Sequence, residues 1–493
     1  MRSYILAIDQ GTTGTTALII DHQGNMRGRG YARITQYYPR PGWVEHDPSE
    51  IWQRTLEAVG QAKQAAGIGN ADIAAIGIAN QRETTILVDR VTGTPVGPAI
   101  VWQCRRTADM CQRLEAGGAA ETIRPRTGLR VDAYFSATKI QWLLENTPEL
   151  RERAVHGEVL FCNVDGWLLW KLTGGKAHAT DFSNASRTML FNIKTLDWDD
   201  ALLQLFDVPR SMLPEVRPSI NVFGYTDDGI PIAGMAGDQQ AALFGQACHR
   251  PGMTKVTYGT GAFVLTHTGK ELAVSKHGLL TTLACSLDGA AEYALEGSVF
   301  IAGAAIQWLQ DLGLIKEAGE SERLAMEIED AGGVYLVPAF VGLGAPHWDM
   351  YARGTLIGLT RGSGRAHIVR AAVESIAHQV ADVLEAMAAD SSLRLAEIRV
   401  DGGAATNSFL LQFQSDIAGI EVSRPKMLET TALGAAYLAG LGTGFWKSAE
   451  EIESMRQESR RFSPCMGSAQ SEASRRGWAR AVERSRGWVI EEE

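Results

Sequence analysis

One short pattern occurs twice in this chain, and it limits the folds available. Tyr4–Asp9 reads as a buried strand, Gln10-Gly11-Thr12-Thr13-Gly14 as a polar turn, and Thr15–Asp21 as a second strand. About 250 residues later the pattern returns: Met253–Thr257, then Tyr258-Gly259-Thr260-Gly261, then Ala262–Thr268. A β-hairpin with a glycine- and threonine-rich tip, used twice in 493 residues, points to a chain built from two related halves. The break between them is placed at His249-Arg250-Pro251-Gly252, giving domains 1–250 and 251–493.

Helices alternate with strands between and after the hairpins. Asp47-Pro48-Ser49-Glu50 is a helix start, with aspartate as N-cap, proline at N1 and glutamate at N3; the helix runs to about Ala66. Ile73–Ala79 and Thr85–Asp89 are strands. Ile398–Asp401, a Gly402–Asn407 turn and a helix from Ser408 to Ala418 form a strand, glycine turn and helix N-terminus. The class is therefore α/β. The last ~45 residues are rich in arginine and are expected to form a peripheral helical tail.

Composition excludes several classes. With 47 Lys+Arg against 57 Asp+Glu, the net charge is −10, and no basic stripe marks a nucleic-acid partner. At 45% hydrophobic and 21% charged residues, the chain is not a disordered one. No apolar run reaches ~18 residues, so no membrane insertion is expected. The N-terminal strand meets a charge too early for a signal peptide. None of the six cysteines forms a Cys-x-x-Cys pair, which suggests reduced thiols in a cytoplasmic enzyme.

Asp9 ends a buried strand beside N–H and O–H donors, a setting that suits a cation or a phosphate cradle, or a plain Asx-type turn. No Walker A sequence occurs, so phosphate handling would need another fold. Arg82 and Glu83, in Asn80-Gln81-Arg82-Glu83-Thr84-Thr85, can serve as a solvated pair or as donors and acceptors for adjacent hydroxyls. Trp102 and Tyr134 can be core or a ligand wall. Asp238, in Gly237-Asp238-Gln239-Gln240, can cap a helix or take a proton from an attacking hydroxyl. His347 reads as structural, and no histidine cluster has metal spacing.

Together these motifs resemble the FGGY family of carbohydrate kinases along nearly the whole chain. The match rests on Asp9–Thr13, Asn80–Thr85, Val101–Arg106, Asp238–Gly245, Thr257–Gly261 and Asp401–Ala404. The resemblance implies two ribonuclease H-like domains of the actin and Hsp70 type with ATP in an interdomain cleft. It implies ATP-dependent phosphorylation of glycerol, with a pentulose kinase of the same fold as the alternative. By motif, Asp9 is expected to work with Mg2+. Thr12, Thr13 and Gly14 fall on the first phosphate loop and Thr260 on the second. Gly303 and Gln307 lie on a nucleotide-side helix, and Gly403 and Asn407 beside adenosine. Arg82, Glu83, Tyr134, Asp238 and Gln239 match the glycerol hydrogen-bonding set, with Trp102 and Phe263 as the apolar wall; Asp238 is the expected base. Relatives are often homodimers or homotetramers. Many carry Ser-Ser-Arg or Ser-Thr-Arg where this chain has Gly14-Thr15-Thr16, so an arginine near the phosphates is absent. Asn221–Ile230 lacks the glycine-rich, arginine-bearing loop by which some members bind an allosteric sugar bisphosphate, and it holds no histidine.

Overall fold

The computed structural model describes residues 2–489 and divides into two compact units. The first comprises Met1–His249, Thr281–Tyr293 and Thr430–Arg456; the second comprises Arg250–Leu280, Ala294–Glu429 and Gln457–Glu493. Two later segments, Thr281–Tyr293 and Thr430–Arg456, thus return to the first unit.

The first unit is built on a six-stranded sheet. Its strands are β1 (Tyr4–Gln10), β2 (Gly14–Asp21), β3 (Met26–Arg33), β4 (Ile73–Asn80), β5 (Ile220–Tyr225) and β6 (Pro231–Gly237). Their order is β5-β6-β4-β1-β2-β3. The near-continuous apolar runs of β1 and β4 follow from burial on both faces. Helix α1 (Pro48–Ala66) begins where the sequence places it: the Asp47 side chain accepts the Ser49 N–H at 2.8 Å. Glu50 does not close a capping box, because its carboxylate takes the Thr35 hydroxyl instead, at 3.0 Å. Two further helices carry site residues, α2 (Ser136–Asn146) and α3 (Asp238–Gly245).

The second unit repeats the plan. Its strands β7 (Met253–Tyr258), β8 (Ala262–Gly269), β9 (Tyr293–Val299), β10 (Glu397–Asp401), β11 (Val422–Pro425) and β12 (Glu458–Phe462) lie in the order β9-β8-β7-β10-β11-β12. In both sheets the hairpin's first strand pairs antiparallel with its second and parallel with the strand that follows a long connection. The helices are α4 (Gly303–Asp311), α5 (Arg365–Ser391) and α6 (Ser408–Ala418).

Helix α7 (Thr430–Thr443) belongs to the first unit. Its small residues let it lie directly on the sheet. A methyl group at Gly77 of β4 would strike the Ala435 backbone, and one at Gly434 would strike the Ala241 backbone of α3. The tail is not wholly helical. After the short helix Ala449–Met455, Glu458–Phe462 pairs antiparallel with β11 as an edge strand. Its Glu-Ser-Arg-Arg sequence has no apolar alternation because an edge strand is held by backbone pairing and faces solvent. Helix α8 (Ser468–Ser485) is docked rather than loose: Trp478 is 1% exposed, stacks on His378 at 5.1 Å and donates its N–H to Asp382 at 2.8 Å. Among the described residues, no helix is long and apolar enough to cross a membrane.

Candidate active site

Three parallel strands of the first unit end level with one another. Gly237 of β6 is in register with Asn80 of β4, and Asn80 with Gln10 of β1. The residues that follow these strands therefore emerge side by side: Asp238 from β6, Gln81-Arg82-Glu83 from β4, and the 11–14 tip from β1. In open α/β sheets this carboxyl edge is where ligands bind.

The polar residues here are buried and interlocked. Arg82 is 2% exposed; its Nε lies 3.3 Å from Asp238 Oδ1 and 3.9 Å from Glu83 Oε1, and its Nη1 donates to Gln240 Oε1 at 3.2 Å. Gly237 makes room for this side chain, since a Cβ there would fall 2.6 Å from the Arg82 Cγ and Cδ. Asp238 keeps more than a quarter of its side chain open and does not cap α3. It stands at the helix's first residue, after Gly237 as N-cap, and accepts the Gln239 N–H at 2.7 Å. Gln239 itself is buried. Trp102 packs edge-on against Tyr134 at 5.5 Å and donates its indole N–H to the Thr12 hydroxyl at 2.9 Å. This bond ties the apolar wall to the first hairpin tip, a link between expected acceptor and phosphate residues that their positions in the sequence did not suggest.

At the tip, the Gly11 N–H donates to the Gly14 carbonyl at 2.9 Å and closes the turn. Gly14 leaves no room for a side chain, since a Cβ there would fall 2.7 Å from the Ala32 carbonyl oxygen as well as against the Tyr31 ring. Thr13 is exposed, Thr12 and Asp9 are half-buried, and Thr16 is buried opposite Asp9 across the hairpin.

The layer beneath was not read from the sequence. Glu83 adopts φ +60°, a left-handed conformation uncommon for a residue with a side chain. Its carbonyl accepts from the Ser136 hydroxyl at 3.1 Å and from Lys139 Nζ at 3.3 Å, and its carboxylate accepts from Arg187 Nε at 2.6 Å. Asn184 and Asn80 exchange two side-chain hydrogen bonds, at 2.9 and 3.0 Å. Ser183 Oγ accepts the Gly237 N–H at 2.8 Å, so the residue before Asp238 is fixed from below. Asp181 caps the short helix that carries Ser183 and Asn184; burial raises its pKa. Burial, then the nearby Asp181 charge, pushes Asp165 up to about 7. Burial alone pushes His46 down to about 4; its Nδ1 lies 3.5 Å from Gln81 Nε2.

The second unit presents its expected residues in a different manner. The Gly259 N–H donates to the Gly261 carbonyl at 2.9 Å, closing a tip one residue shorter than the first. The tip is seated on the start of α4: Gly303 N–H donates to the Gly259 carbonyl at 2.9 Å and Ala304 N–H to the Thr260 carbonyl at 3.0 Å. Thr260 remains exposed, while exposed Gln307 reaches along its own helix to Asp311 at 3.0 Å. Gly402, at φ +86°, turns past the Tyr258 backbone with no room for a Cβ, whereas Gly403 faces open space. Asn407 caps α6 by accepting the Leu410 N–H at 2.9 Å, so its carboxamide oxygen has a structural task. Phe263, on β8, belongs to this unit and is half-buried, while the rest of the expected acceptor set belongs to the first. His347 pairs with Asp382 at 3.3 Å.

The chain matches the FGGY family of carbohydrate kinases twice, its N-terminal domain over residues 4–245 and its C-terminal domain over residues 254–443. It is 58% identical to the glycerol kinase of Caldanaerobacter subterraneus subsp. tengcongensis over 497 residues, covering 100% of both chains. It is 59% identical to glycerol kinase 2 of Thermotoga maritima over 491 residues, covering 98% of this chain and 99% of that one. Among solved structures, Plasmodium falciparum glycerol kinase with ADP superposes with a TM-score of 0.93 at 36% identity, covering 99% of each chain. Paired hairpins on paired sheets, both domain matches and full-length relatives agree: this chain belongs to the FGGY family of carbohydrate kinases.

Proposed function

We propose that this enzyme phosphorylates glycerol with ATP, with Asp238 as the base and the carboxyl edge of the first sheet as the acceptor site. The chain transfers the γ-phosphoryl group of ATP to a terminal hydroxyl of glycerol, giving sn-glycerol 3-phosphate and ADP. The observation that carries the site is the cluster of Arg82, Glu83 and Asp238 beside the Trp102–Tyr134 pair. Three hydroxyls need donors and acceptors, and three carbons need a flat apolar surface; both are present on one strand edge.

Asp238 accepts the proton of the attacking hydroxyl, and Arg82 beside it holds the carboxylate in place. In a loose phosphoryl-transfer transition state, alignment of the nucleophile contributes more than proton removal. Thr12, Thr13 and Gly14 serve the phosphates from the first tip and Thr260 from the second. Gly303 and Gln307 lie on the nucleotide side, and Gly403 and Asn407 beside adenosine. Phe263, in the second unit, is the remaining apolar residue of this reading.

The donor set suits Mg2+. No group of three or more acidic, histidine or cysteine side chains that could hold a metal occurs among the described residues. Magnesium bound with a nucleotide uses one or two carboxylates together with phosphate oxygens and water, so a half-buried carboxylate at a strand end fits. Asp9 would hold the ion, which when bound offsets phosphate charge. The same reading carries a cytoplasmic location and a homodimer or homotetramer.

The test is an ATP-dependent assay of the purified protein against glycerol and a panel of ketopentoses. Glycerol is expected to give the highest kcat/KM. Faster turnover of a ketopentose would replace this assignment with a pentulose kinase.

A further inference from the structure

Two cations lie beneath the acceptor site, and neither has a role in the chemistry described so far. Lys139 of α2 and Arg187 are each 0% exposed. Lys139 Nζ donates to the Tyr134 carbonyl at 2.5 Å and to the Glu83 carbonyl at 3.3 Å. Arg187 Nε donates to Glu83 Oε1 at 2.6 Å, and its guanidinium lies over the Tyr134 ring at 5.6 Å and the Phe135 ring at 5.3 Å. Both cations thus touch the same two residues by different atoms, one through backbone carbonyls and one through the carboxylate and the ring.

We infer that Lys139 and Arg187 are positioning residues for the acceptor alcohol, locking Glu83 and Tyr134 in the geometry that recognises its hydroxyls. This rests on the acceptor site proposed above. Glu83 needs such support because its backbone is left-handed, a conformation that persists only where the surroundings over-determine it. Burying two cations is costly when packing alone is needed, since apolar side chains of similar volume fill a core without desolvating charge. What the cations supply that apolar residues cannot is direction: fixed donors aimed at a carbonyl pair and a carboxylate. Arg82 holds Glu83 from a third side, at 3.9 Å.

Burial lowers the Lys139 pKa to about 8; the ionisable groups facing it are Glu83, Cys104, Asp132 and Cys111. Above that pH the ammonium becomes an amine, a weaker donor to both carbonyls.

Steady-state kinetics on Lys139→Met, Arg187→Met, Arg187→Lys and the double Met variant test this. Each Met variant is expected to raise the glycerol KM about tenfold or more, with the ATP KM within about twofold of the parent. Arg187→Lys should recover part of the loss. The double variant should lose less than the product of the two, because both residues hold the same pair. In the unmodified enzyme the glycerol KM should climb as pH rises through 8, with no matching change in the ATP KM. Folded Met variants with a parental glycerol KM, or equal losses in both substrates, overturn the inference. If the Met variants do not fold, Arg187→Lys and the pH profile decide, and a glycerol KM that is flat from pH 7 to 9.5 overturns it. An unmodified protein that does not phosphorylate glycerol at all overturns instead the function on which this rests.

Discussion

The two units share a strand plan but differ at the ends of corresponding strands. At the hairpin tips, Asp9-Gln10-Gly11 of the first unit stands where the second has Thr257-Tyr258-Gly259, so only the first tip carries a carboxylate. After the strand parallel to the hairpin, the first unit places Gln81, Arg82 and Glu83, all almost wholly buried. The second places Gly402, Gly403 and a short 3-10 turn at the same point. One copy of the plan presents side chains there, and the other presents backbone.

That divergence is what the physical chemistry of the two expected ligands would call for. A small neutral polyol offers only hydroxyls, so its recognition needs charged and polar side chains kept rigid out of water. A nucleotide brings its own charge, and glycine-rich backbone can approach it closely and offer N–H groups. In the first unit that rigidity comes from the layer of Lys139, Arg187, Asn184, Asp181 and Ser183 under the expected acceptor edge. The second tip rests on the N–H groups at the start of α4.

The largest effect is expected from removing one side chain of the first unit. Asp238→Asn preserves shape but cannot accept a proton. Its kcat is expected to fall by about 10^2 to 10^4, the usual range for a positioned general base. The ATP KM should be nearly unchanged. Rapid-quench kinetics would separate chemistry from product release. A loss below about tenfold would mean that alignment suffices and that Asp238 is not the base.

A smaller effect is expected from acid, and it too falls on the polar layer. His46 is 1% exposed, its Nε2 has no hydrogen-bond partner, and burial holds its pKa near 4. Its folded value lies below the ordinary 6.5, so on acidification the unfolded chain takes up the proton first. The stability it contributes is complete above pH 6.5 and is lost as pH falls through 4. Asp165 works in the opposite direction, because its carboxyl is raised to about 7 and favours the folded chain as pH drops. The two effects are separated by comparison with His46→Gln. Between pH 6.5 and 4.5 the stability difference between parent and variant should shift by about 2–3 kcal/mol against the parent. Urea midpoints at the two pH values measure it, and a constant difference would show that His46 is not held neutral.

The sequence was legible wherever local chemistry decides structure. Both hairpins, α1 with its Asp47 cap and Pro48, and the Asp401–Ser408 junction form within a residue or two of expectation. The expected acceptor residues of the first unit also come together, because their motifs all follow parallel strands that end level. What stayed hidden depends on contacts between distant segments. Arg187 meets Glu83 across 104 residues, and Lys139 sits on a helix whose buried face includes it as if it were apolar. No spacing rule marks either one. The return of Thr430–Arg456 to the first unit was equally invisible, since an α7 of small residues reads as any buried helix until Gly77 and Gly434 reveal the close approach. The edge strand Glu458–Phe462 was missed for the converse reason, as its pairing is carried by backbone and leaves no side-chain pattern.

The finest test falls on the second unit, where backbone is expected to do what side chains do in the first. Gly402 and Gly403 are adjacent but differ physically. Gly402 sits at φ +86° against the Tyr258 backbone, so any side chain there strains the turn. Gly403 has no atom within 4 Å of where a Cβ would stand, and its φ lies outside the left-handed region. Gly403→Ala should therefore leave stability within about 0.5 kcal/mol of the parent, or raise it slightly by restricting the unfolded chain. If the nucleotide lies against that backbone, the added methyl meets the nucleotide and not the protein. The ATP KM is then expected to rise by about threefold or more, while the glycerol KM stays put. Steady-state kinetics read the two KM values, and thermal unfolding with and without ADP reads stability and nucleotide binding on one sample. An unchanged ATP KM and an unchanged ADP-induced shift would mean that Gly403 does not approach the nucleotide. The contrast between a side-chain site and a backbone site would then have to rest on the hairpin tips alone.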